Sequence, residues 1–594
     1  MQKNSLYIGV IISLFLLNTL SAQNDNWQWV KRGGGTVGFA TGSEVFSTGV
    51  ERVIDLASDS NDNYYFIAEV GAAQTDYDGT PIQTYSDDGN RKDIFMFSTD
   101  CQGNFRWSKT IGGGFDDRAN SIGVDSNNNI YISGNTRNTT PPAPHFANDT
   151  IKNSAILDGS LEEARKSMFI TKYDDQGNFQ WLREPEGPID YGGGFMQKSI
   201  VEPNGRTHTL VRFFSGTHLE GQLTVTNPLG QAAILVYDTN GTLENYILLD
   251  MRPGSDVYDY QLAYDPNLDR YYLADTRRGS DSDLSINGFG SSSPSDLRAF
   301  YLAAIDSQGQ VIWFYENDTQ GGWSLGDIAI DNNGDVYFTA YNDNDDNLPN
   351  PSIFAGYSFV VDSSVNNSQS PFLIKLDSAG NLIWGTNATQ YSPFPGRSIA
   401  IKGNDVYLGL GSLANEWDGT AFGNEVSGVG LLSTDNAVLR FNKTSGSLEE
   451  VIPMPGTGFD MIMAMDIDSQ DNIVVGGHFG GSLLQSNPAL SVFKAGGFTD
   501  FFVAQYGQDC SLGVNENANN FSIKLYPQPA SGVVHLQSQN PLSRYEIYDI
   551  QGKSVQQGQV EQNQIDISRL STGLYIIKVI SDDHKTQVLK LVVE

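Results

Sequence analysis

SMFITKYDDQGNFQW, running from Ser167 to Trp181, decides how this chain is built. Apolar or aromatic residues alternate at Met168, Ile170 and Tyr173 and return at Phe179 and Trp181. Between them Asp174 to Asn178, carrying Gly177, reads as a turn, so the stretch predicts two short antiparallel strands. Its second half, turn then strand then Trp, recurs as DCQGNFRW ending at Trp107, SQGQVIW at Trp313 and SAGNLIW at Trp384. Degenerate copies are DTNGTLENY ending at Tyr246 and KTSGSLEEV ending at Val451, which gives a period of about 70 residues.

A second hairpin alternates with the first. SIGVDSNNNIYISG from Ser121 recurs as DIAIDNNGDVYFTA from Asp327, SIAIKGNDVYLGL from Ser398 and AMDIDSQDNIVVGG from Ala464, with weaker copies from Val53, Ser199 and Gln261. That makes seven units of four strands, the pattern of an all-β, seven-bladed β-propeller. The seventh unit stops after DFFVAQYG without its Trp strand, while NDNWQWVKRGGG near the N-terminus is a Trp strand with nothing before it. Joined, the two complete the last blade and leave no strand edge open.

The composition limits what such a ring meets. Asp and Glu number 70 against 36 Lys and Arg, a net charge of −34 that repels nucleic acid and anionic membranes. The first residues, MQKNSLYIGVIISLFLLNTLSAQ, have a basic start, an apolar run and small residues, and read as a signal peptide (1–22) cleaved between Ala22 and Gln23. No later stretch is apolar for long enough to span a bilayer. Two cysteines in an exported chain, Cys101 and Cys510, point to one disulfide across the ring closure.

The repeats resemble the SBBP-type β-propeller repeats of secreted bacterial proteins, best in the second unit at Gly112 to Gly114, Asp116, Asp117, Asp125, Tyr131, Phe169, Lys172, Gly177 and Trp181. The resemblance covers about Asn24 to Cys510 and implies the fold, with the propeller placed at 23–513. After an Asn-rich linker at 514–520, residues 521–594 alternate as a small Ig-like β-sandwich. LYPQP at Leu525 to Pro529, IYDIQGK at Ile547 to Lys553 and IDISRLSTGLYIIKV at Ile565 to Val579 are similar to the type A C-terminal sorting domain of the Bacteroidetes type IX secretion system; Gln528 stands where Asn is usual. That likeness implies handling by the type IX machinery, passage through the periplasm, and release or attachment at the outer cell surface.

Tight turns of both hairpins fall on one face of such a ring, and the long connections between second and third strands fall on the other. Recognition belongs on the long-loop face. Candidates there are Trp323 and Trp417 as stacking platforms for sugars, and Asp116, Asp117, Asp327 and Asp460 as a carboxylate ring able to hold Ca²⁺. The plainer reading of those Asp residues is backbone capping, and no resident cofactor is expected. The GxSxG match at Gly322 to Gly326 precedes a strand in a chain without helices, which is the wrong setting for a nucleophile elbow. Three readings of function follow: a non-enzymatic module binding a glycan or protein, a polysaccharide hydrolase or lyase, and a structural envelope protein. Two carboxylates of raised pKa in one cleft would favour the enzyme.

Overall fold

Each repeat pairs its four strands antiparallel in the computed structural model of the protein. The structure describes residues 26–35, 51–71, 75–85, 91–114, 116–137, 142–147, 166–185, 194–228, 230–249, 260–277, 299–317, 325–344, 353–360, 368–390, 392, 394–413, 415–423, 434–508, 510, 523–538, 541–549, 553–560, 562–581 and 586–594. The expected signal peptide, its expected cleavage site and the expected linker at 514–520 lie outside these. The chain divides into two units, Met1–Asp509 and Cys510–Glu594.

Seven four-stranded cores make up the first unit among the described residues. Blade one begins with Arg52–Ser58, blade two with Arg118–Val124, blade three with Gly194–Val201 and blade four with Gln261–Asp265. Blades five, six and seven begin with Leu325–Ile330, Ser398–Lys402 and Met461–Ile467. These first strands pack in that order, and the seventh returns to the first, so the sheets form a closed ring around a channel. The middle strands of blade one, Tyr64–Gly71 and Lys92–Thr99, are buried along their whole length, as expected of strands covered on both faces, and its outer strand Phe105–Gly112 is half-buried.

Local chemistry accounts for the repeated letters. In the opening stretch the Asp174 carboxylate accepts the amides of Gln176 and Asn178 at 3.0 and 2.8 Å, and Gly177 takes the φ of +74° that closes the turn. Asp100, Asp238, Asp306 and Asp377 cap their own turns in the same way. In the other hairpin of blade two the Tyr131 hydroxyl donates to Asp125 at 3.0 Å and Lys172 Nζ lies 5.0 Å above the Tyr131 ring. Blade five repeats this with Asp331, Tyr337 and Lys375. The repeated acidic residues are therefore structural, and they sit on the tight-turn face.

Blades are latched to one another by Trp. The indole N–H of Trp107 donates to the Asp175 carbonyl at 2.9 Å, and its ring covers Gly177 so closely that a Cβ there would fall 2.9 Å from it. Trp181 on Gly241, Trp313 on Gly380 and Trp384 on Gly446 repeat the contact, each indole donating to a carbonyl of the same turn. The turn glycine makes room for the neighbour's ring.

The last junction uses the N-terminal strand. Asn26–Gly34 pairs with Asp500–Gly507, Val30 opposite Ala504 and Gly33 opposite Phe501. Trp29 donates to the Cys101 carbonyl at 3.1 Å and covers Gly103, so it occupies the position that Trp107 holds in the next blade. Gly33 leaves the space that the Phe501 ring fills. Cys101 and Cys510 are both disulfide-bonded.

The second unit is all strand. Its order is Ser554–Gln559, Leu542–Asp549, Gly573–Ser581, Thr586–Val593, Ile523–Ser531, Val533–Ser538 and Gln564–Asp566. Alternation buries Tyr545 and Ile547 from one strand and Ile577 and Val579 from the next against Val534, Leu536 and Ile565. Gln528, where Asn is usual, accepts the Val592 amide at 3.0 Å and donates to the Lys590 carbonyl at 3.3 Å, so the substitution keeps the turn tied to the last strand.

Candidate functional site

The described parts of the long connections do not stand free. They fold into short hairpins that wedge between their own blade and the one before. In blade one, Asp76–Tyr77 pairs with Gly33 and Gly34 and buries Tyr77 on Phe97 and Phe501. In blade two, His145–Phe146 pairs with Ile111 and Gly112. Phe354 packs 4.8 Å from Phe300 of blade four, and the Leu219 amide reaches Pro185 at the end of blade two.

Trp417 belongs to one of these wedges. It is 0% exposed, donates to Thr386 Oγ1 at 2.6 Å and meets the Phe441 ring at 5.1 Å. The expectation that it stacks on a sugar is thus corrected: in Asn415–Trp417, Thr420–Phe422 the hairpin needs an apolar anchor, and Trp417 is that anchor. Trp323, the other aromatic candidate, and Ser324 of the GxSxG match lie outside the described residues.

The carboxylate ring does not form either. Asp117 is fully buried and accepts the Gly113 amide at 2.8 Å, while Asp116 accepts the Lys92 amide at 3.1 Å and lies 3.6 Å from Arg91. Asp460 is fully buried and accepts the Gly480 amide at 2.9 Å, and Asp327 accepts the Ile399 amide of the next blade at 2.9 Å. Asp116, Asp117 and Asp460 cap backbone where a link enters the first strand, while Asp327 lies within its strand and ties it to the next blade, so all four are committed to backbone amides. Among the described residues no group of three or more His, Cys, Asp or Glu side chains is placed to hold a metal ion.

Cations converge at the channel mouth instead, and the sequence reading missed them. Arg52 and Arg118 open the first strands of blades one and two, Arg397 directly precedes that of blade six, and Lys92 opens the third strand of blade one. Arg52 and Lys92 share Glu69 at 3.6 and 3.4 Å, and Arg118 acts on the same carboxylate, which lies below its usual range despite burial. His478 of blade seven is buried beside Arg52, Arg397 and Lys92; burial first and then those charges push its imidazole down to about 3. Neither of its ring nitrogens has a hydrogen-bond partner, and the same holds for Arg52 Nε.

Deeper in the channel Lys198 of blade three reaches Asp55 of blade one at 3.4 Å. Burial raises Asp327 to about 6, with Lys198 opposing, and raises Asp466, which accepts the amide and hydroxyl of Ser58 at 2.8 and 2.7 Å.

Two further buried carboxylates set a pH dependence. Burial raises Asp460 to about 8 and Glu51 to about 7. A carboxyl whose folded pKa is raised holds its proton more tightly when folded, so its stabilisation is complete at low pH and is lost as pH climbs through the folded value. Lowering the pH from 9 to about 6.5 should therefore add on the order of 2 kcal/mol of stability, and the depressed imidazoles of His478, His208 and His218 flatten the curve below that. Thermal midpoints across this range check it. Asp460→Asn should remove most of the slope above pH 7, and a wild-type midpoint independent of pH from 7 to 9 would refute the assignment.

Comparison with known proteins agrees with the architecture. Residues 524–594 match the secretion system C-terminal sorting domain, and residues 106–139 match the beta-propeller repeat called SBBP. No curated protein matches the chain. Among solved structures, a europium-containing methanol dehydrogenase is similar at 11% identity and a TM-score of 0.34, covering 82% of this chain and 93% of its own. PorZ, a surface component of the type-IX secretion system of Porphyromonas gingivalis, is similar at 12% identity and 0.25, covering 91% and 81%. A protein of unknown function from Dyadobacter fermentans gives 12% and 0.31, covering 80% and 98%. Likenesses this distant say nothing of what the chain binds.

Proposed function

We infer that this chain, an SBBP-type β-propeller exported through a type IX sorting domain, is a binding module that takes its ligand at the channel mouth on the long-loop face. The signal peptide leads it to the periplasm, and the sorting domain leads it across the outer membrane, to be released or held at the cell surface. One observation carries the preference for binding over catalysis. The raised carboxylates of the channel, Asp327 and Asp466, accept backbone amides of the adjacent blade, Ile399 and Ser58. A general acid must present its proton to a substrate, and these oxygens join the inner strands. Polar groups meanwhile gather at the mouth above them, held by wedged and latched blades, which is the preorganised setting that favours recognition.

The runner-up is a polysaccharide hydrolase or lyase, favoured by Asp327 near pH 6 with Lys198 and Asp55 close by. A structural envelope role is the third reading. Glycan-array binding together with a turnover screen of the purified full chain separates them. Saturable binding of a glycan without turnover is the expected result. Turnover overturns the binding reading, and silence on both arms favours the structural one.

A further inference from the structure

Blades six, seven, one and two each bring a nitrogen-bearing side chain to one arc of the mouth: Arg397, His478, Arg52 and Arg118, with Lys92 beside them. The β-ladders fix the height of this arc. Arg52 lies opposite Glu69, Arg118 opposite Asn135 and His478 opposite Met461, each at the loop end of its strand pair. Arg52, Lys92 and Arg118 act on Glu69, and Arg52, Lys92 and Arg397 act on His478, so four cationic side chains gather along one arc of a chain of net −34. Screening over about 8 Å at physiological salt lets such a patch act on its own contents, whatever the distant charge.

The equivalent position in blade three, next along the ring from blade two, is aromatic. Phe195 precedes the bulge of its first strand as Arg52 and Arg118 precede theirs. It meets Phe214 edge-on at 5.4 Å, with Arg212 above the Phe214 ring at 5.4 Å. One side of the mouth is thus shaped for an oxyanion and another for the apolar face of a ring. His478 adds an independent sign of a ligand: it is 3% exposed, within the field of three cations, and has no hydrogen-bond partner on either nitrogen.

We propose that the channel mouth binds the carboxylate or sulfate of an acidic saccharide between Arg52, Lys92, Arg118 and Arg397, with the sugar ring against Phe195. The anionic group accepts from the guanidinium groups, including Arg52 Nε, and from the His478 N–H; Glu69 stays behind as the counter-charge that holds Arg52 and Lys92 in place. Long polyanions such as nucleic acid are repelled by the rest of the molecule before they reach the arc. A single acidic sugar on a mainly neutral glycan is not.

This inference rests on the reading that the loop face binds, and titration calorimetry on the full chain separates the two. The probes are trigalacturonate, a sulfated galactose trisaccharide, the uncharged counterpart of each, sodium sulfate alone, and a neutral peptide with a free C-terminal carboxylate. At least one acidic trisaccharide should bind roughly tenfold or more tightly than its uncharged counterpart, and Arg118→Gln should weaken it roughly tenfold, as loss of one charge-assisted hydrogen bond requires. Arg118→Lys should recover part of that, and Phe195→Ala should weaken the saccharide while leaving any sulfate binding unchanged. Equal binding of charged and uncharged saccharides, unaltered in Arg118→Gln, overturns the anion site and leaves the loop-face reading standing. Tighter binding of the peptide than of either saccharide overturns the saccharide. No binding of any probe overturns both.

Discussion

Removal of residues 26–34 should abolish the folded first unit rather than merely soften it. That strand buries Trp27, Trp29 and Val30 and pairs along Asp500–Gly507. Three such side chains are worth roughly 1.5–3 kcal/mol each in burial alone, and their sum approaches the whole stability of an ordinary domain. Deletion also opens the edge of Asp500–Gly507 to pairing with another chain. The expected product is aggregated or degraded, judged by size-exclusion chromatography and by loss of a cooperative melt. Trp29→Ala, which removes the Cys101 latch but keeps the strand, should fold and lose about 3–5 kcal/mol in denaturant. A deletion variant that melts like the wild type would remove the strand from the ring.

Gly177→Val should cost nearly as much as the Trp29 truncation, about 4 kcal/mol, from two separable causes. Gly177 has φ +74°, where a β-branched residue is strained by roughly 1–2 kcal/mol, and its Cβ would meet the Trp107 ring at 2.9 Å. Gly79 is the control, with φ +83° and nothing within 4 Å of a built Cβ. Gly79→Ala should therefore lose about 1 kcal/mol for backbone conformation alone. If Gly177→Ala and Gly79→Ala lose the same amount by denaturant titration, the Trp latch contributes no packing and the account of the repeat is wrong.

The propeller was legible because its signals are local and repeated. SMFITKYDDQGNFQW holds its turn cap, its glycine and its interblade Trp within fifteen letters, and the same letters return in other blades. The split last blade was legible for the same reason: NWQWVKRGGG carries the Trp and glycines of a fourth strand. The site was not. Trp417 looked like a free loop aromatic because nothing in NEWDGTAF says which side of a two-residue turn is buried. DYDGTP at Asp76 is a related hairpin with Tyr77 buried, and comparing the two is the signal that could have revealed a wedge. Arg52, Arg118 and Arg397 stand far apart in sequence and look like ordinary charges; only the ring brings first-strand starts to one height. The acidic residues misled in the opposite direction, since Asp is as common in turns as in sites and Asp117 and Asp460 are turned inward to cap amides.

Ring closure by the N-terminal strand is what the wedges, the latches and the mouth all depend on, and hydrogen exchange tests it most directly. In the full chain the amides of residues 27–33 that bond Asp500–Gly507, together with those of residues 501–507, should exchange only through global opening of the propeller and should be as protected as those of Tyr64–Gly71. Exchange of those paired amides of residues 27–33 within seconds, while the other blades stay protected, would contradict a closed seven-sheet ring.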